Sequence, residues 1–176
     1  LLCFDSFLRI SEPLALKVKH VTFSTDRDGQ RRAALLIPFS KRGLNQSVLV
    51  ELPALNDQLW AWVQKKGLTG PDTPLFSLTA AVVNLNLKEA LLDYGVPYHI
   101  TAHSLRHGGA SAAKIRGMRI EDIAERGRWA DLECCKRYIQ QATALVMHFR
   151  LPERVARAGC WLLEHPDAIF GQRFVG

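Results

Sequence analysis

Two side chains three residues apart, His103 and Arg106 in His103-Ser104-Leu105-Arg106-His107-Gly108-Gly109-Ala110, are the first groups in the sequence suited to joint chemistry. On a helix this spacing puts both on one face. There an imidazole can move a proton, and a planar guanidinium can hold two anionic oxygens at once. Two further segments carry matching groups. Leu8-Arg9-Ile10-Ser11-Glu12-Pro13 supplies a second arginine, and Gly127-Arg128-Trp129 precedes Tyr138 by nine positions. Such a set suits an anionic centre that gains further negative charge when it is attacked. A charge pair at about 4 Å is worth up to roughly 4 kcal/mol at an effective dielectric of 20. A tyrosine is only about 0.1% phenolate at neutral pH, a penalty of roughly 4 kcal/mol that a cationic cluster can offset.

Each of these residues also has an ordinary competing role. Arg9 can pair with Glu12 at i+3 on a helix surface. Lys41 and Arg42 lie in a turn where charged residues are commonly just solvated. His103 can bond helix-end backbone, Trp129 can be a core aromatic, and Tyr138, flanked by Lys136, Arg137 and Ile139, can reach along its own helix to the surface.

The elements that must position these residues are readable from periodicity. Apolar residues at Leu1, Phe4, Leu8, Leu14 and Leu16 have helical spacing, with Pro13 as a turn or kink. Lys17 to Phe23 is strand-like, Asp26 to Gly29 a turn, Ala33 to Pro38 a second strand, Ser40 to Gly43 a second turn, and Ser47 to Leu52 a third strand. After Pro53 the pattern is helical: one helix stopped by Gly67, one over 79–93 ended by Gly95 and Pro97, and one capped by Thr101 or Ser104 and closed by Gly117. A short helix over 121–126, a longer one over 131–146 and an amphipathic one over 153–164 follow. The expected fold is α+β and mostly helical, a small three-stranded antiparallel sheet packed on helices.

Composition narrows the class. With 176 residues, 48% of them hydrophobic and 23% charged, the chain has the makings of an ordinary folded domain. No run approaches 18 apolar residues, so no membrane-spanning helix is expected. Cys3, Cys134, Cys135 and Cys160 show no metal-binding spacing and read as free thiols in a reducing compartment. The formal charge of +6 favours an anionic partner. The chain opens on Leu1 in mid-pattern, which reads as a piece of a longer polypeptide.

Taken in order, Arg9, Lys41, His103, Arg106, Trp129 and Tyr138 resemble the catalytic set of the tyrosine recombinases, the phage-integrase family: arginine in a helix, hairpin lysine, H-x-x-R, then His or Trp nine residues before a tyrosine. The likeness runs from about Leu1 to Gln141. It implies a catalytic domain over 1–145 and a helical tail over 146–176 that could exchange between protomers. The N-terminal DNA-clamping domain of family enzymes is not within these residues, and is either absent or carried upstream in a longer product. It implies double-stranded DNA as partner, a tetramer on that DNA, and no cofactor or metal. It also implies strand cutting and rejoining through a 3′-phosphotyrosyl intermediate. In that scheme Arg9 and Arg106 bind the phosphate, His103 takes the tyrosine proton, Lys41 protonates the leaving 5′-oxygen, Trp129 donates to the phosphate and Tyr138 is the nucleophile. Glu12 would orient Arg9, with Arg42, His107 and Arg128 as supporting DNA contacts.

The pattern departs from the family at Phe7, where glycine is usual, at Arg128, where a small or apolar residue is common, and at Gly108-Gly109, poor helix formers whose expected use is close approach of backbone to DNA. The Gly127-Arg128-Trp129 segment resembles those of eukaryotic mobile elements, which leaves cytoplasm or nucleoid against nucleus open. Competing readings are a catalytically idle DNA-binding remnant, a type IB topoisomerase-like enzyme (disfavoured by His103, where those carry lysine) and a helical protein-interaction domain.

Overall fold

Alternating burial along the strands decides how the sheet sits. The computed structural model describes residues 1–40, 43–96, 100–139 and 151–164. Within them β1 (Val21–Thr25), β2 (Arg31–Ser40) and β3 (Gly43–Val50) form an antiparallel meander in the order β1-β2-β3. The register pairs Val21 with Leu35, Ala33 with Val50 and Leu35 with Val48. Ala33, Leu35, Ile37, Val48 and Val50 are therefore buried on one face, while Leu36 and Leu49 point to solvent. The β1–β2 turn is closed by Asp26, whose Oδ1 accepts the Asp28 N–H at 3.1 Å and the Gln30 N–H at 2.9 Å.

Helix α3 (Pro53–Lys65) lies on that face through Leu55, Leu59 and Val63. Asn56 of α3 is fully buried and bridges two strands. Its Oδ1 accepts from Ala33 N–H at 2.9 Å and its Nδ2 donates to the Val50 carbonyl at 3.2 Å. A buried amide with both ends satisfied pins helix to sheet in a way apolar contact cannot.

The expected strand boundaries move. Residues 18–20 form a 3-10 turn, so β1 starts at Val21, and β3 begins at Gly43 and ends before Leu52, which caps α3. The expected first helix is two short ones, α1 (Leu2–Asp5) and α2 (Ser11–Leu14). Pro13 sits inside α2; the break comes at Phe7, whose φ is +49°.

The helical half comprises α4 (Ala80–Asp93), α5 (Ala102–Ile115), α6 (Ile120–Arg126), α7 (Leu132–Tyr138) and α8 (Glu153–Glu164). The cap expected at Thr101 and Ser104 is found, and two more appear. Thr79 accepts from the Val82 N–H, Thr101 and Ser104 form a reciprocal capping box, and Asp131 accepts from the Cys134 N–H at 2.6 Å. Helix α7 ends at Tyr138, and 140–146 of the longer expected helix lie outside the described residues. The proposed tail begins there too. Within it α8 is seen, with Arg154 Nη2 donating to the Tyr94 carbonyl at 3.3 Å.

A second apolar core, formed by Phe7, Ala110, Ala113, Ile123, Ala124, Trp129 and Cys135, lies under α5, α6 and α7. Of the two glycines of α5, Gly109 is demanded by packing within the chain and Gly108 is not. A Cβ on Gly109 would come within 2.0 Å of the Phe4 carbonyl oxygen, so α1 and α5 approach too closely for any side chain. One at Gly108 would meet only the Phe4 ring, at 3.4 Å. Gly109→Ala is thus expected to cost about 1–3 kcal/mol of unfolding free energy. Gly108→Ala should be neutral or gain up to about 1 kcal/mol from helix propensity. Urea melts of the two variants check the contrast.

Candidate active site

Arg106 is fully buried on α5 and its charge organises what surrounds it. Its guanidinium donates to the carbonyl oxygen of Phe7 through Nη1 and to that of Gly127, at 2.6 Å, through Nη2. It lies over the Trp129 ring, 4.4 Å from the centroid, and 5.6 Å from that of Tyr138. Burial first, and the charge of Arg9 second, pull its pKa down to about 10, which still leaves it protonated at neutral pH. Its Nε has no hydrogen-bond partner among the described residues.

The carbonyls that hold Arg106 come from two left-handed corners. Phe7 takes φ +49° and Arg128, following Gly127, takes φ +53°. Such values are uncommon outside glycine and costly for a bulky residue. Position 7 is where the family resemblance leads to an expectation of glycine, and the positive φ accounts for it. Phe7 accepts the conformation because its ring is buried against Trp129, the centroids 6.0 Å apart, while its carbonyl meets the guanidinium. At Gly127 the Trp129 ring folds back so closely that a Cβ would come within 1.8 Å of it.

Glu12, 4% exposed, is the counter-ion. Its Oε2 accepts from the Arg9 backbone N–H at 2.7 Å and from Arg128 Nη2 at 2.8 Å, and lies 4.0 Å from Arg106 Nη1. Its Oε1 accepts from Arg9 Nη1 at 3.2 Å. The i+3 pair expected from the sequence is therefore real, but it belongs to a group of three guanidiniums. Arg9 is the most open of them, with its side chain 24% exposed.

Tyr138 ends α7 with its ring half-buried among the remaining candidates. It stacks on His107 at 4.3 Å between centroids, meets His103 edge-on at 5.7 Å, and lies 5.1 Å from Trp129. The structure thus brings together Arg9, His103, Arg106, Trp129 and Tyr138 from four separate stretches of chain. Lys41 and Arg42 lie outside the described residues. His107 is placed on the tyrosine ring, and Arg128 on Glu12.

Two residues that sequence reasoning left aside matter to this arrangement. Asp5, buried, accepts from the Leu52 N–H at 3.0 Å, the Glu51 N–H at 3.2 Å and the Ser6 hydroxyl at 2.8 Å. Arg126 then bridges the Asp5 carbonyl at 2.9 Å and the Glu51 carboxylate at 2.8 Å. Sheet end, α1 and α6 are joined there, next to the site. A buried aspartate in an apolar helical pattern was the available signal, but its partners are 46 and 121 positions away.

Among the described residues no group of three His, Cys, Asp or Glu could hold a metal ion, and no helix is long and apolar enough to cross a membrane.

The family model described as "Phage integrase family" matches residues 1–144, and the chain belongs to that family. Solved structures agree in fold. XerH site-specific recombinase bound to its difH substrate in a pre-cleavage complex is 21% identical, with a TM-score of 0.63, over 78% of this chain and 40% of that one. XerA recombinase is 14% identical, TM-score 0.64, over 85% of this chain and 54% of its own. The Tn1549 transposon integrase in complex with circular intermediate DNA is 15% identical, TM-score 0.57, over 82% and 55%. The chain therefore spans about half the length of these structures or less. No curated protein sequence matches it significantly.

His103 and His107 both have pKa values below the ordinary 6.5, each first through partial loss of water around the ring, although His103 as a whole stays exposed and only His107 is half-buried. The nearby charges of Arg106 and Arg9 add to this at His103, and His103 and Arg106 add to it at His107. Both rings are thus neutral at pH 7, and His103 is able to accept a proton. A depressed folded-state pKa means that the unfolded chain takes up the proton first. Stability is therefore full above about pH 6.5 and falls as pH drops through the folded values. Melting temperatures between pH 7.5 and 5.5 should decline, and the double replacement of His103 and His107 by Asn should flatten that decline. An unchanged slope in the double variant would place the titration elsewhere.

Proposed function

We propose that this chain is the catalytic part of a site-specific DNA recombinase, cutting and rejoining double-stranded DNA through a 3′-phosphotyrosyl intermediate. The observation that carries the reading is the meeting of Tyr138 with the buried Arg106 guanidinium, inside a ring of His103, Trp129 and the Glu12-held Arg9. A scissile phosphate bound by Arg9 and Arg106 would lie in reach of the tyrosine hydroxyl. Attack forms the bond from Tyr138 Oη to phosphorus, breaks the bond from phosphorus to O5′, and leaves a free 5′-hydroxyl.

Neutral His103 is suited to take the phenol proton, and Lys41 is assigned to deliver one to the departing 5′-oxygen. The two guanidiniums, with the Trp129 indole, would stabilise charge that grows on the non-bridging oxygens in the transition state. Rejoining is the reverse: a 5′-hydroxyl attacks the phosphotyrosine, and the conserved bond energy removes any need for ATP. Arg42 would meet the DNA backbone beside Lys41. Half-buried His107 would steady Tyr138 by stacking.

Binding as a homo-tetramer on DNA belongs to this reading, as does exchange of the segment after position 145 between protomers. Leu78, Val82, Leu85 and Leu92, all exposed along α4 and its N-terminal approach, offer an apolar surface for such a helix.

Incubation with a suicide duplex carrying a nick near the cleavage site should yield a covalent protein–DNA band on a denaturing gel. Tyr138→Phe should abolish the band and leave binding intact, and Arg106→Ala should slow its formation on the order of 10²–10³-fold. Survival of the band in Tyr138→Phe would remove the nucleophile assignment. Lys41→Ala should slow cleavage about 10²–10⁴-fold on ordinary DNA. It should have little effect on a substrate with sulfur at the bridging 5′ position, a leaving group that needs no proton. Equal loss on both substrates would exclude Lys41 as the acid.

A further inference from the structure

We infer that Arg128 is a positioning residue that acts on the phosphate site through Glu12, not a side chain that contacts DNA. The inference rests on the function proposed above and deepens it. Local conformation gives no reason for an arginine at position 128, because its φ of +53° favours glycine. The reason lies in its side chain, 5% exposed and turned inward. Nη2 donates to Glu12 Oε2 at 2.8 Å and Nη1 to the Arg126 carbonyl at 3.2 Å. To touch a DNA phosphate it would have to abandon both bonds.

Glu12 Oε2 is the atom toward which Arg106 also leans, at 4.0 Å, and the one that accepts the Arg9 backbone N–H. Arg9, Arg106 and Arg128 carry three positive charges against the single negative charge of Glu12, a surplus of two. That surplus equals the charge on the non-bridging oxygens of a phosphodiester under attack. Without Arg128 the surplus falls to one, and the freed Oε2 draws Arg106 and Arg9 toward itself and away from an anion. Arg128 thus occupies the carboxylate so that the other two guanidiniums stay available. Its own pKa is lowered, first by burial, while Glu12 works in the opposite sense, as a buried ion pair requires.

Inorganic sulfate, which needs no DNA and no catalysis, reports on this site through its effect on thermal unfolding. Arg128→Gln should weaken sulfate binding about tenfold. Adding Glu12→Gln to it should return affinity to within about threefold of the unaltered chain, because the carboxylate that competes for the guanidiniums is gone. The slope of DNA affinity against salt should be the same in Arg128→Gln as in the unaltered chain, since no phosphate contact is lost.

Three results would overturn the inference: sulfate binding unaffected by Arg128→Gln, a double variant no better than the single one, or a salt slope reduced by about one contact. If Arg128→Gln lacks a cooperative melt, Arg128→Lys takes its place. It keeps the charge and should keep sulfate affinity within about threefold, and a tenfold loss in a folded protein would sink the inference. Sulfate binding that follows this pattern in a chain forming no covalent DNA band would uphold the role of Arg128 and refute strand exchange. No sulfate binding by the unaltered chain would refute the role itself.

Discussion

Holding the charge of Arg106 inside the protein is the constraint from which most of the local structure follows. Moving an ion out of water costs several kcal/mol after relaxation, and the cost is recovered only with close partners. Arg106 finds two carbonyls, an aromatic face and a carboxylate at the edge of reach. The carbonyls are supplied by backbone at or beside left-handed corners, at Phe7 and at Gly127 next to Arg128. Backbone strain at those positions is thus the local expense of a buried cation. The accommodation stops short of complete: Arg106 Nε and Arg128 Nε have no partner among the described residues, and three arginines share one carboxylate. A pocket so constructed is preorganised for an anion, since its donors are already dry and oriented.

The same economy explains how the sheet is tied to the helices. Apolar packing on either side of α1 fixes distance but not register, because hydrophobic contact has no direction. The Asp5–Arg126–Glu51 group supplies direction. It takes two backbone N–H groups at the β3–α3 junction and clamps them to the end of α6, which leads into Gly127 and Trp129. Strands β2 and β3 are in this way keyed to the segment that cradles Arg106. Asn56 does the equivalent inside the sheet layer.

Histidine and tyrosine complete the picture in a different register. His103, His107 and Tyr138 touch through their rings, so they are held by shape. Loss of water around His103 is the larger reason its protonation is disfavoured, and the neighbouring guanidiniums act in the same direction.

Much of this was legible along the chain. Turn chemistry at Asp26–Gly29, the helix cap at Thr101, and the stops at Gly67, Gly95 and Gly117 are local, short-range preferences, and they were read correctly. The order and spacing of Arg9, His103, Arg106, Trp129 and Tyr138, singled out through the family resemblance, named side chains that the fold does bring together. What periodicity misread was the start of the chain. A regular apolar pattern over Leu1 to Leu16 suggests one helix, but the demand of Arg106 for the Phe7 carbonyl breaks it in two. The tight fit of Gly109 against α1 was equally invisible, and so the glycine pair was read as room for DNA.

Glu12 shows the division most clearly. From the sequence it is the i+3 partner of Arg9, a pair that any helix surface might carry. Only the folded chain brings Arg128 to it across 116 positions and Arg106 to within 4.0 Å. The linear order of residues determined which chemical groups were present and which short-range structures would carry them. Their meeting depended on burial of charge, where the low dielectric makes each ion seek whichever partner the packing of distant helices happens to place within reach.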